Sequence, residues 1–187
     1  MKPHQTIMYL CIMYLRTKSI RNRKTGTVYR YAYAVENRWR RKKGGGKQAR
    51  QKVKHYLGKV HSFPPAQEIA FFSFMGIEEA KKEEYLRAAT AKRLVKALVE
   101  WELAAHKAEG FSVDFSSGAV LKDGKPASIA MNEGMLNTFT LRRLLVFKAG
   151  NGDEETGYGL AKAFVEAGIR VPEDVFVSVF GKAVGQP

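Results

Sequence analysis

The chain has 187 residues, 45% of them hydrophobic, and a formal net charge of +14. A composition this apolar excludes wholesale disorder, and the length suits one large domain or two small ones. The single cysteine, Cys11, excludes an intrachain disulfide, and the surplus of Lys and Arg favours a polyanionic partner.

The charge is unevenly spread. Residues 1–60 hold 17 Lys and Arg against one acid, Glu36, whereas the remaining 127 residues hold 15 bases and 17 acids. Such asymmetry marks a nucleic-acid or membrane contact region. The apolar run Ile7–Leu15 (IMYLCIMYL) is too short to span a bilayer. Arg16, Thr17 and Lys18 follow it, where a signal peptide would have a small-residue cleavage site. It reads as a buried strand in a cytoplasmic protein with no membrane partner. The near-repeat IMYL at 7–10 and 12–15 leaves Met1, Met8 and Met13 as alternative translation starts.

Turn-like RNRKTG and RRKKGGGK cut the following stretch into three strand-like pieces. Strand one runs from Ile7 or Met13 to Ile20, strand two from Val28 to Arg40, and strand three from about Ala49 to Val60. Alternation sorts their faces. Tyr29, Tyr31, Tyr33, Val35 and Trp39, joined by Leu15, Val53 and Leu57, are expected to form a buried inner face. Arg16, Lys18, Arg30, Ala32, Ala34, Glu36, Arg38, Arg40, Arg50, Lys52 and Lys54 are expected on a basic outer face, with the two alanines admitting a groove wall. Core packing of the tyrosines is favoured over base stacking, because period-2 aromatics usually fill a buried face.

Ser62–Gln67 (SFPPAQ) reads as a linker between a sheet region, 1–61, and a helical domain, 68–187. A short helix is expected over Glu68–Phe74, then a long one over 77–109 with the stripe Leu94–Leu98–Trp101. That helix is the expected homodimer or partner contact. Phe111–Met131 reads as one β-hairpin. A helix over Thr140–Lys148 is capped by Asn137 or Thr138, and another over Glu154–Ala167 by Gly168. From Pro172 to Phe180, the N1 proline argues for a helix and the Val175, Val177, Val179 alternation for a strand. The fold class is therefore α+β: an N-terminal basic three-stranded antiparallel sheet, then a mostly helical region with one hairpin.

The basic sheet carries the strongest functional signal. Lys and Arg neutralise phosphates and release counterions, and a sheet can enter the major groove. The expected contacts are Arg16, Lys18, Arg21, Arg23, Arg30, Arg38, Arg40, Arg50, Lys52 and Lys54, with Arg41, Lys42, Lys43 and Lys47 at a glycine-rich tip (Gly44–Gly46). That tip lacks the spacing of a phosphate-binding loop. His4, His55, His61 and His106 show no metal-ligand spacing, so no metal or cofactor is expected. No nucleophile sits beside a base, so no catalytic residue is assigned.

The pieces Met13–Lys18 (MYLRTK), Tyr31–Arg38 (YAYAVENR) and Tyr56–Val60 (YLGKV) resemble, in their order, the N-terminal segment of insertion-sequence transposases of the DDE type. The resemblance implies binding of DNA ends by this quarter of the chain. It does not extend to catalysis: a βββαβ pattern with three spaced acids is missing after Val60. Asp114, Asp123 and Glu133, the nearest acids, fall in one hairpin and its exit. The expected function is a non-enzymatic protein that binds double-stranded DNA, a regulator or a chromosome- or mobile-element-associated factor. An RNA-binding or ribosome-associated protein is the alternative.

Overall fold

The structure is a computed structural model that describes residues 13–41 and 44–185. It is α+β, and it divides into two compact units, Met1–Tyr56 and Leu57–Pro187. The division falls inside a strand, five residues before the expected one.

The first unit holds β1 (Met13–Arg21), β2 (Val28–Arg41) and most of β3 (Lys47–Ser62). β2 lies between the other two, and β1 and β2 run antiparallel. The turn joining them is built by Asn22. Its Oδ1 accepts the Lys24 amide at 2.9 Å, and its backbone N–H donates to Thr27 O at 2.8 Å. Gly26 supplies the left-handed residue, with φ +70°.

The second unit begins as β3 ends. Lys59–Ser62 pairs parallel with Ala127–Ala130 of β6 (Lys125–Met131). Next to β6 lies β5 (Ala119–Lys122), then β4 (Ser112–Asp114), and β7 (Gly134–Leu136) also pairs with β6. The expected single hairpin is thus a meander of four strands. Gly58 makes the parallel pairing possible. Its φ is +94°, and a side chain there would collide with the Pro126 backbone carbonyl.

The helices of this unit are α1 (Phe71–Phe74), α2 (Lys82–Ala88), α3 (Ala91–Ala105), α4 (Thr138–Leu145), α5 (Asp153–Ala167) and α6 (Glu173–Ala183), with a 3-10 turn at Glu79–Lys81. The long helix expected over 77–109 is broken. Ala89 is extended, and the Thr90 side chain caps a new helix by accepting the Arg93 amide at 3.2 Å. Asn137 and Thr140 form a reciprocal capping box on α4, Gly168 ends α5 in the left-handed region, and α6 opens after Pro172. The last segment is therefore a helix; its alternating valines do not make a strand.

The stripe Leu94–Leu98–Trp101 lies inside this unit's own core, with Phe71, Ile129, Leu136, Leu141 and Phe164. It is not a free contact face. The same helix holds the segment read as a linker. Trp101 Nε1 donates to Ile69 O at 2.9 Å, Gln67 N donates to Ala105 O at 2.8 Å, and His106 Nδ1 lies 2.8 Å from Pro64 O.

A buried carboxylate organises the far end of α3. Glu102 is 0% exposed. It accepts the Arg170 backbone N–H at 3.0 Å, Arg170 Nε at 2.7 Å and Asn132 Nδ2 at 3.3 Å. Arg170 also lies 4.9 Å over the Trp101 ring. An ion this deeply buried is tolerated only because its lone pairs are filled. Among the described residues, no helix is long and apolar enough to cross a membrane.

Candidate nucleic-acid interface

The register of β1 on β2 decides which side chains share a surface. Arg16 lies opposite Tyr33, Lys18 opposite Tyr31, Ile20 opposite Tyr29 and Tyr14 opposite Val35. Residues directly opposite one another point to the same face. Arg16 and Lys18 therefore share the tyrosine face, against expectation. Leu15 lies opposite Ala34 on the other face, with Thr17 opposite Ala32 and Ser19 opposite Arg30.

Strand β3 does not keep strict alternation. Gln51 Oε1 accepts from Arg16 Nη1, and Gln51 Nε2 donates to the Tyr14 hydroxyl, which donates to Asn37 Oδ1 at 3.0 Å. Gln51 thus reaches the tyrosine face. Tyr56 reaches it too, with its ring 6.2 Å from Tyr31 and 5.7 Å from Tyr33 between centroids. An odd and an even position on one face require one slip of the pleat between them, as in a β-bulge. Lys54 still reaches Glu36 on the alanine face, so the slip falls after it; Val53 keeps the tyrosine face, as expected, but is exposed and not buried.

The two faces also differ in burial from what alternation suggested. Tyr29, Tyr31 and Tyr33 are half-buried, Tyr56 is 50% exposed, and Ile20 is exposed. The tyrosine face is not a closed core. Ala32 and Ala34 are 0% exposed, so no groove wall can reach them. Among the described residues of this unit, Ala32, Ala34 and Val35 are the buried hydrophobic ones.

Glu36, the one acid of the unit, was expected on the outer face but is only 2% exposed, because two cations close over it. It binds Arg38 Nε at 2.9 Å and Lys54 Nζ at 2.6 Å. Two of the expected contacts are thus partly committed to an internal carboxylate. Arg38 also joins Arg50, Gln51, Lys52 and Val53 around a concavity of about 370 Å³. Three expected cations converge there.

The remaining candidates are placed as follows. Arg16 and Lys18 are exposed on the tyrosine face, and Arg21 and Arg23 are exposed where β1 enters its turn, beside Lys24. Arg30 is exposed on the alanine face. Lys42 and Lys43, and the side chains of Trp39, Arg40, Arg41 and Lys47, lie outside the described residues, as do Cys11 and the run before Met13. Sequence reasoning missed Tyr14, Gln51 and Tyr56 as members of this surface. The motif YLGKV contained the signal for Tyr56; the register of β3 did not lie in the sequence.

Electrostatically, partial burial and then the neighbouring Tyr31 and Tyr33 hydroxyls hold the Tyr56 phenol above its ordinary range. In the other unit, Asp114, Asp123 and Glu133 sit at three successive turns of the meander. Asp114 accepts from the Ser116 and Ser117 hydroxyls, both at 2.6 Å, and from the Ser116 amide at 2.8 Å. Those bonds, the Ser116 hydroxyl foremost, hold its carboxyl well below the usual carboxylate range. Its oxygens are occupied by its own turn. Among the described residues, no three His, Cys, Asp or Glu side chains gather to hold a metal ion. No family model, curated protein or solved structure matches the chain.

Proposed function

We propose that this chain is a non-enzymatic DNA-binding protein that holds phosphates against the basic sheet of its first unit. One observation carries the reading. Residues 1–56 contain 16 Lys and Arg and a single acid, and that acid is buried between two of the bases. The described surface of the unit therefore presents positive side chains with no carboxylate among them. Residues 57–187, with 16 bases and 17 acids, carry no such field. A one-signed surface of this kind raises the local concentration of a polyanion and speeds its capture.

The resemblance of Met13–Val60 to transposase N-terminal segments supports DNA as the polyanion. The half-buried tyrosines favour a second reading, a single-strand RNA binder, because aromatic faces stack unpaired bases. Competition between DNA and RNA at matched salt separates the two, and a clear RNA preference overturns the first.

Fluorescence anisotropy against labelled DNA tests the reading. The logarithm of affinity should fall linearly with the logarithm of salt, by about 0.9 per neutralised phosphate. Replacing Arg16 and Lys18 together with Gln should flatten the slope by about 1 to 2. An unchanged slope would remove β1 from the interface, and absence of salt-dependent binding in the native chain would overturn the proposal.

A further inference from the structure

We infer that the tyrosine face of the sheet is a stacking platform for unpaired bases, so that the DNA taken by this unit is single-stranded over the Tyr31–Tyr33–Tyr56 cluster. This rests on the DNA reading above and names the form of DNA.

Three observations carry it. The first is exposure. Tyr31 and Tyr33 are half-buried and Tyr56 is 50% exposed, and among the described residues of this face Val35 is the one fully buried apolar side chain. The second is ring geometry. Tyr56 is tilted 39° to Tyr31 and 53° to Tyr33 at centroid distances of 6.2 and 5.7 Å, so the rings cluster without stacking face to face. A base can therefore lie on an aromatic surface that is already held in place by its neighbours. The third is charge. Arg16 and Lys18 lie directly opposite Tyr33 and Tyr31, so cations flank the rings on the same surface. Alternating aromatic and basic groups at strand spacing suit a strand whose bases turn inward and whose phosphates turn aside. A duplex hides its base faces and would use only the cations.

Polar side chains on the same face are linked across the sheet. Arg16 is held by Gln51, which is held by Tyr14, so side chains from β1 and β3 are tied together across β2. Arg16, one of the cations beside the rings, is thus held in place before any ligand arrives, which lowers the ordering cost of binding.

The test uses the full chain and three probes of equal length: a DNA strand, the same strand with abasic sites, and the duplex. Stacking contributes enough per base that the normal strand should bind roughly 5- to 100-fold more tightly than the abasic one. Tyr56→Leu should shrink that ratio, and Tyr56→Phe should keep it. Equal affinity for normal and abasic strands, with salt-dependent duplex binding retained, overturns the stacking platform and leaves the DNA reading standing. No salt-dependent binding to any probe overturns both. Tighter binding of an RNA strand with the same abasic penalty supports the platform and overturns DNA as its ligand. Self-association of the native chain that is lost in Tyr56→Leu would assign the face to a second copy and overturn the platform.

Discussion

Replacing Glu36 with Gln should make the protein less stable and bind DNA more tightly. Glu36 is buried and bridges Arg38 and Lys54 at 2.9 and 2.6 Å. Removing one partner of a fully buried pair typically costs about 3–5 kcal/mol, because a charge is left unpaired. Here the orphaned cations are not sealed in: the Arg38 side chain is 51% and that of Lys54 30% exposed. Both can rehydrate, so a loss of about 1–3 kcal/mol is expected. For binding the sign reverses. The net charge of the surface rises by one, and two cations are released toward phosphate. One added charge about 5 Å from a phosphate in high dielectric contributes about 1 kcal/mol, roughly a five-fold gain in affinity. The salt slope should also steepen by about 1 to 2. Urea denaturation gives the first quantity and anisotropy over a salt series the second. Weaker binding by a variant that remains folded would refute the reasoning, since Glu36 would then be organising Arg38 and Lys54 for contact instead of withholding them.

Other outcomes follow from the second unit. Gly58→Ala places a methyl against the Pro126 carbonyl in a left-handed backbone, and should lower stability by about 2–4 kcal/mol in urea denaturation. Glu102→Ala strips the buried partner from Arg170 and Asn132, and should cost about 3 kcal/mol with a matching fall in melting temperature. The Asp114 carboxyl is held below its unfolded value by its serine bonds. Its stabilisation is therefore complete above about pH 4 and is lost progressively as pH falls below that. Asp114→Asn should weaken the chain at neutral pH and reduce the drop in denaturation midpoint between neutral and acidic buffer; an unaltered drop would show that Asp114 does not contribute to it.

Much of the architecture was legible from the sequence because the signals were local. The turn residues Asn22 and Gly26 bracket the first hairpin, Asn137 caps α4 and Gly168 ends α5. The register was not legible. Alternation states which residues of one strand share a face, but it does not match one strand to the next. Arg16 and Lys18 were therefore assigned to the face opposite Tyr33 and Tyr31. Nor does alternation state which face is covered: a tyrosine core and surface alanines are what it suggests, whereas the alanines are fully buried and the tyrosines only half-buried. The pleat slip between Gln51 and Tyr56 carries no signal in its residue types. The break at Ala89 and Thr90 was masked by alanines that fit a helical stripe, although the Thr90 cap was available. β4 and β7 have three residues each, too few to show a period.

Photo-cross-linking of the full chain to bromodeoxyuridine-substituted DNA, with the adducts mapped by mass spectrometry, reports most directly where DNA lies. Adducts are expected on peptides from β1, β2 and β3 up to Tyr56, with Tyr31, Tyr33 and Tyr56 among them. Adducts concentrated in residues 57–187, where acids slightly outnumber bases, would contradict the assignment of the basic sheet as the DNA-binding surface.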